Sequence, residues 1–357
     1  MHIPDGYLSP STCAAMYAAS APCWWAALRR SRKKLVGRTL PLLALFAAFA
    51  FVVMMFNLPL PGGTTGHAVG VGIAAIVLGP WASSLAISLA LTIQALFFGD
   101  GGITTLGANC FNMAIVGALV SYGMYRLIAA RAALDSRRRV IAAGIAGYVA
   151  VNAAALLAAT EFGIQPMLFH DASGTPLYAP YPLSIAIPAM MIGHLTFAGL
   201  AEAVISAGVV AYLQVADPAL LRATSGLKFD RPAIATGLRP AANSARRLWI
   251  AVAVLMLLTP LGILAAGTAW GEWSPAQLAH AASHPSAVSP SAAAAPVGLQ
   301  RLSTLWTAPF PAYAPTFVKS RGFGYLLSAI FAVGFLLCVS LVVQRFMERH
   351  RGSGSTA

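Results

Sequence analysis

The sequence predicts an all-α membrane protein with several bilayer crossings, and its composition and hydropathy carry that prediction. Hydrophobic residues make up 58% of the 357 positions and charged residues only 9%, whereas soluble domains have about 45–50% apolar and about 25% charged residues. The apolar residues form long runs, and helices satisfy their own backbone hydrogen bonds inside lipid. We expect a polytopic helical bundle with about seven helices in a core and about two in a C-terminal module.

Nine apolar runs have the length of a membrane crossing or nearly so, since about 20 helical residues span the hydrocarbon core. The third run is short and is interrupted by Gly79 and Pro80, so the third and fourth runs form either two crossings or one re-entrant pair. Both arrangements leave the later helices pointing the same way. The runs occupy residues 11–28, 40–58, 67–79, 81–98, 109–130, 140–160, 184–213, 248–267 and 322–343.

Basic residues set the expected orientation, because loops rich in lysine and arginine stay on the cytoplasmic side. Basic clusters follow the first, fifth, seventh and ninth runs, and of the 23 basic residues only Arg301, Lys319 and Arg321 fall elsewhere. We therefore predict a multi-pass protein of the bacterial cytoplasmic (inner) membrane with its N-terminus outside and its C-terminus inside. The net charge of +13 is spread over these short clusters, which argues against a nucleic-acid partner.

Composition divides the chain into four predicted parts. They are a membrane domain at 1–215, a basic cytoplasmic linker at 216–247, a two-helix module at 248–345 and a cytoplasmic tail at 346–357. The two-helix module contains an outer segment rich in Ala, Pro and Ser, which is typical of a flexible linker. His280 and His284 lie in that segment, and we interpret them as solvated side chains rather than metal ligands.

The N-terminal stretch MHIPDGYLSP carries the most specific chemistry. It has neither the basic lead-in nor the small-residue cleavage site of a signal peptide, so we expect the α-amine of Met1 to be retained. This amine, the amide nitrogen of His2 and one ring nitrogen of His2 are spaced to close two small chelate rings on one metal ion. A planar set of nitrogens suits Ni(II) or Cu(II), and Co(II) tolerates it.

His67 is the expected fourth ligand. A histidine at position two also occurs by chance, so the argument depends on its pairing with a second imidazole. His67 ends the glycine-rich loop NLPLPGGTTGH, which the helix parity puts on the same outer side as His2. We expect metal binding to weaken as the pH falls through about 6.5, where free imidazoles become protonated.

Five further polar residues are candidates for supporting roles. Asp100, Asn109 and Asn112 flank the outer end of the fifth run and could orient an imidazole through its other nitrogen, although Asn109 could equally cap a helix. His194 and Glu202 lie on a similar face of the seventh run. An ionisable pair inside a membrane suggests a proton relay or a coupling carboxylate, but we favour a hydrogen bond between helices.

Several motifs in order resemble a known family. MHIPDGYLSP, FNLPLPGGTTGHAVG, LGPWASSLAISLALTIQALFFGDGGITTLGANCFNMAIVG and GHLTFAGLAEAVISAGVVAYL resemble the substrate-binding component of cobalt/nickel energy-coupling factor transporters, the CbiM/NikM family. The resemblance covers residues 1–215 and implies a metal held by the Met1 amine, the His2 backbone nitrogen, the His2 ring and the His67 ring. It implies Co(II) or Ni(II) as the transported ligand, with no resident cofactor. It also implies a transmembrane coupling subunit and two ATPase subunits as partners.

The C-terminal third is similar to the PDGLE-type or N-component module of that family, although the Pro-Asp-Gly-Leu-Glu string is missing. The sequence contains no Gly-x-x-x-x-Gly-Lys-Ser/Thr phosphate loop, so we predict a non-catalytic subunit powered by separate ATPases. A stand-alone secondary transporter or channel is the alternative, but only His194 and Glu202 lie deep enough to line its path. A membrane enzyme is disfavoured, because no nucleophile–base pair or paired carboxylates occur at membrane depth.

Overall fold

The structure, a computed structural model, describes residues 1–31, 39–60, 64–222, 224–227, 242–264, 295–315 and 317–352. Within these ranges the chain is a bundle of helices with one short two-stranded hairpin. Six helices are long and apolar enough to cross a membrane, which confirms the prediction of an all-α polytopic bundle. His280, His284 and residues 228–241 of the predicted basic linker lie outside the described residues.

Seven helices make up the first part of the chain, as predicted. They are α1 Pro10–Ser31, α2 Thr39–Met54, α3 Val71–Leu78, α4 Pro80–Phe98, α5 Leu106–Ala129, α6 Arg137–Leu168 and α7 Leu183–Ala216. The hairpin pairs β1 Leu58–Leu60 with β2 Thr64–Gly66 in antiparallel register and precedes α3.

The C-terminal module contributes two long helices, also as predicted. After the short helix α8 Ala219–Arg222 come α9 Ala242–Leu258, a 3-10 turn at Thr259–Leu264, α10 Val297–Leu302 and α11 Arg321–Gly352. Two backbone hydrogen bonds join this module to the first part. The Gly298 amide of α10 donates to the Leu177 carbonyl (2.8 Å), and the Phe310 amide, which follows α10, donates to the Phe97 carbonyl at the end of α4 (2.9 Å).

Not every predicted run forms a helix that is long and apolar enough to cross a bilayer by itself. Helix α3 has eight residues and is about 12 Å long at 1.5 Å per residue, too short for a crossing. Helix α2 has only 16 residues, and α1 has 22 but is not one of the six strongly apolar helices. The third run therefore contains only a short helix, and α4 leads the chain back from Gly79 and Pro80.

Helix α3 is held at the end far from the hairpin by a basic cluster. The Thr224 hydroxyl donates to the Ile76 carbonyl, and Arg126 donates to the Thr224 carbonyl (3.4 Å). Arg139 is fully buried and donates to backbone carbonyls, including that of Ser225 (3.2 Å). The cation is thus solvated by oriented peptide dipoles, and this end of the bundle is closed.

Candidate metal centre

The structure brings together the three residues that the sequence predicts as metal ligands. The Met1 amine lies 3.4 Å from the Nε2 atom of His67. The rings of His2 and His67 stack with centroids 4.7 Å apart and planes inclined by 17°. Met1, His2 and His67 are each at most 3% exposed. The N-terminus is therefore inserted into the bundle rather than trailing from it.

His67 presents its Nε2 atom to the N-terminus because its other ring nitrogen is occupied. The Nδ1 atom lies 3.1 Å from the carbonyl oxygen of Ala68; since a carbonyl only accepts, Nδ1 carries the proton and Nε2 has the free lone pair. Burial, and then the neighbouring N-terminal ammonium, lower the pKa of His67 well below its ordinary value. The ring is thus neutral at physiological pH, and the expected loss of binding near pH 6.5 does not follow from His67.

Glu202 fixes the loop that carries His67. Its carboxylate accepts hydrogen bonds of 2.8 Å from each of three backbone amides, those of Val69, Gly70 and Gly72. These amides start α3, where unpaired N–H groups and the helix dipole favour an anion. Gly70 has a φ of +75°, a conformation that suits glycine. Glu202 makes hydrogen bonds inside the bundle, as the favoured interpretation has it, and its partners are backbone amides.

Asn109 fixes the backbone directly after His2. The Ile3 amide donates to Asn109 Oδ1 (2.8 Å), and Asn109 Nδ2 donates to the Ile3 carbonyl (3.0 Å). The Gly102 amide donates to the same carbonyl (2.9 Å). Asn109 therefore supports the centre through the main chain of Ile3, and neither the imidazole-orienting role nor the capping role describes it.

Asp5 adds a second anchor for the N-terminal segment. Its carboxylate accepts from the backbone amides of Thr104 (2.7 Å) and Ile103 (3.1 Å), and from the Thr104 hydroxyl. Asp5 therefore binds the N-terminal segment to the loop after α4, and Asn109 of α5 binds the same segment at Ile3.

Asp100 lies against His2. Its Oδ1 atom is 2.9 Å from His2 Nδ1, yet neither ring nitrogen of His2 has an aligned hydrogen-bond partner in the described part of the chain. The contact between Asp100 and His2 is thus a short electrostatic contact without hydrogen-bond alignment. Burial opposes ionisation of Asp100, but the facing His2, the Tyr313 hydroxyl and the N-terminal ammonium together hold its pKa below the ordinary value. Asp100 is a carboxylate beside the centre.

The C-terminal module reaches this carboxylate, which the sequence interpretation missed. The Tyr313 hydroxyl donates to Asp100 Oδ2. Gln94 Nε2 donates to Tyr313 Oη (2.9 Å) and to Asp100 Oδ2 (3.3 Å). Tyr313 and Gln94 are 5% and 0% exposed. No sequence motif indicates this cluster, because Tyr313 lies 213 residues after Asp100.

Two candidate residues belong to other interactions. Asn112 donates to Glu161 (2.9 Å) and makes no described hydrogen bond to either ligand histidine. His194 uses Nδ1 to donate to the Met190 carbonyl of its own helix (2.8 Å). Because His194 and Glu202 each have separate backbone partners, the structure does not pair them as a proton relay.

The donor set fits a transition metal only if main-chain nitrogens take part. Among the described residues, no group of three or more His, Cys, Asp and Glu side chains is arranged to hold a metal. The convergent groups are instead an amine, a neutral imidazole and a second imidazole without aligned hydrogen bonds. Such nitrogen donors suit Ni(II), Cu(II) or Co(II) rather than Mg(II), which prefers oxygen.

Comparison with known proteins gives consistent matches. The family model described as "Cobalt uptake substrate-specific transmembrane region" matches residues 2–220. The chain is 54% identical over 343 residues to the fused nickel transport protein NikMN of Rhodobacter capsulatus, an alignment that covers 94% of this chain and 95% of that protein. It is 44% identical over 281 residues to the probable fused nickel transport protein LarMN of Lactiplantibacillus plantarum, covering 78% and 79%.

A solved structure also matches part of the chain. The crystal structure of a truncated transition metal transporter has 55% sequence identity and a TM-score of 0.57, and the alignment covers 60% of this chain and 98% of that one.

Proposed function

The chain belongs to the cobalt uptake substrate-specific transmembrane family, of the CbiM/NikM type with a fused C-terminal module, and we propose that it is the substrate-capture subunit of an ATP-driven uptake transporter for Ni(II) or Co(II). It is a multi-pass membrane component of cobalt/nickel transport. The finer proposal is that it takes the ion from the outer face of the cytoplasmic membrane and delivers it inward. A transmembrane coupling subunit and two ATPase subunits supply the driving force.

One observation carries the proposal: the Met1 amine approaches the Nε2 lone pair of buried His67 at 3.4 Å, beside the stacked ring of His2. The proposed ligands are the Met1 amine, the His2 amide nitrogen, His2 Nδ1 and His67 Nε2. The amide joins by losing its proton to the medium, which a bound divalent ion favours. Four nitrogens in or near one plane suit the cargo ions.

The surroundings support capture of a cation. The ionised Asp100 partly balances the charge that a divalent ion brings into a buried site. Glu202 and Asn109 hold the two ligand-bearing segments without contacting the ion themselves. The cargo would therefore meet a pre-arranged site, which limits the ordering cost of binding.

Metal analysis of the purified full-length protein tests the proposal. After incubation with Ni(II) and removal of free ion, the wild type should retain one ion per chain, whereas His2→Ala and His67→Ala should each lose at least about tenfold in affinity. His170→Ala, which changes an exposed histidine, is the matched control and should bind like the wild type.

Removing the α-amine as a donor makes the test sharper. Acetylation of the N-terminus keeps every side chain but removes the charge and the donor lone pair of the Met1 nitrogen, so retention should be lost. Equal nickel content in the wild type, both alanine variants and the acetylated protein would disprove the site. Mass spectrometry showing a trimmed or blocked N-terminus in metal-loaded protein would disprove it equally.

A further inference from the structure

Asp100 holds the ring nitrogen of His2 that a chelate would need. Closing a small ring through the His2 amide requires Nδ1, because Nε2 lies on the far side of the imidazole and points away from the backbone. In the structure Nδ1 lies 2.9 Å from Asp100 Oδ1. A ring nitrogen that lies this close to a carboxylate oxygen cannot bind a metal ion at the same time. The cargo ion and Asp100 therefore compete for Nδ1.

The C-terminal module holds Asp100 in this competing position. Tyr313 donates its hydroxyl proton to Asp100 Oδ2, the oxygen that does not face His2, and Gln94 donates to both Asp100 and Tyr313. Two donors on Oδ2 direct Oδ1 towards the imidazole. The position of the carboxylate thus depends on a residue from outside the first seven helices.

Tyr313 is itself firmly placed. Its ring stacks on Phe98 with centroids 4.9 Å apart, and its carbonyl accepts from Ser328 of α11 (2.9 Å). Ala312 and Tyr313 have φ values of 51° and 58°, in the left-handed region that side chains other than glycine seldom occupy. Such strain persists where the surrounding contacts over-determine the backbone, often at functional sites.

We propose that Tyr313 and Gln94 hold Asp100 as a latch on His2 Nδ1, so that the C-terminal module stabilises the metal-free arrangement and promotes release of the ion. The proposal rests on the proposed function, because it needs the chelate through His2. On loading, Nδ1 leaves Asp100 and binds the ion, and the proton of the His2 amide passes to the medium. On release, the amide takes up a proton from the medium and Nδ1 returns to Asp100. Tyr313 and Gln94 are positioning residues in this scheme, since they act through Asp100.

The latch predicts a gain of affinity from loss of a hydrogen bond. Tyr313→Phe keeps the ring and its packing but removes one donor to Asp100, and a typical protein hydrogen bond corresponds to about a three- to tenfold change in an equilibrium. The variant should therefore bind Ni(II) about three- to tenfold more tightly and release it to a chelator correspondingly more slowly. Gln94→Met should shift both quantities the same way, and the double variant should gain less than the product.

Nickel binding and chelator-driven release are measured on the purified full-length protein with Ni(II) alone as the probe. The d–d absorption band of the bound ion should keep its position in Tyr313→Phe, because all four ligands remain. Tyr178→Phe makes the same chemical change near the module interface, where Tyr178 packs edge-on against Phe169 (5.8 Å), and should match the wild type. Damage to the site would loosen nickel and move the band, which is the opposite signature.

The outcomes separate the two proposals. Nickel bound by the wild type and lost by His67→Ala, with unchanged or weaker binding in Tyr313→Phe, would overturn the latch and leave the proposed function intact. Tighter binding in both Tyr313→Phe and Tyr178→Phe would also overturn it, since the gain would not be specific to Asp100. A wild type that holds no nickel would overturn both.

Discussion

At the scale of single residues, the centre depends on side chains that hold main-chain atoms rather than ligands. Glu202 accepts three amide hydrogen bonds around Val69–Gly72, and Asn109 makes two with Ile3. The proposed donors include an amine and an amide, and such a site needs its backbone fixed as firmly as its side chains. The polar groups buried around the centre thus position the two segments that meet there.

Glu202→Gln tests this positioning role. The amide keeps the size of the carboxylate but brings an NH₂ group towards backbone N–H donors, so at least one of the three hydrogen bonds is lost and the remaining ones lose their charge assistance. We expect nickel affinity to fall about ten- to a hundredfold, the usual effect of losing a residue that orients a metal ligand. The measurement is a nickel titration of the folded, full-length variant.

Glu161→Gln is the control for that experiment. Glu161 is also a buried carboxylate in a membrane helix, but it accepts from Asn112 and makes no described contact with the His67 loop. It should leave the affinity unchanged. Equal losses in the two variants would mean that burying any amide in the bundle disturbs the site, and the specific role of Glu202 would be refuted.

His67 carries the pH prediction. Burial and the N-terminal ammonium lower its pKa, so the ring takes up a proton only below the range of a free imidazole, about 6.5. In the metal-free protein, the ring ¹⁵N signals that disappear in His67→Ala should keep their neutral positions from about pH 8 down to about pH 6. A protonation midpoint near 6.5 for these signals would show that the ring is not buried against a positive charge.

At the scale of elements, helix positions could be predicted from the sequence, but the depth of the loop between α2 and α3 could not. Apolar runs locate the six membrane-crossing helices, and Pro80 ends the short α3 because proline cannot continue a preceding helix. Hydropathy also placed His67 and His2 on one side. Hydropathy does not give the depth of the loop that carries His67, because an apolar glycine-rich loop can lie at the membrane surface or be inserted among helices.

The supporting contacts were beyond prediction for a different reason. The Val69 amide lies 133 residues before Glu202, and a backbone donor leaves no mark in the sequence. Gln94, Asn112 and His194 lie in π-helical turns at Gln94–Phe98, Cys110–Val116 and His194–Ala198, whose wider spacing redirects side chains away from regular helical faces. Asn112 contacts Glu161, whereas Asp100 lies beside the His2 ring.

At the scale of the whole molecule, the two parts of the chain meet over the N-terminal segment. Every proposed ligand lies in the part of the chain that precedes α4, and the segment between α10 and α11 contributes Tyr313 to the Asp100 cluster. Trp306 Nε1 adds a hydrogen bond to the Leu96 carbonyl (3.0 Å). Fusion of the two parts in one chain keeps this contact intramolecular, which raises its effective concentration. The C-terminal module is therefore part of the machinery around the centre.

The last prediction concerns the source of energy. The sequence contains no phosphate loop. The buried carboxylate of Glu202 accepts hydrogen bonds from backbone amides at the start of α3, so it is not free to carry protons. Concentrating an ion about a hundredfold costs about 2.8 kcal/mol, and binding to a single site cannot supply this repeatedly. In proteoliposomes the chain alone should bind nickel but not accumulate it. Coupling and ATPase subunits with ATP should produce accumulation, and a non-hydrolysable analogue should not. ATP-independent accumulation by the chain alone would instead support the secondary-transporter alternative.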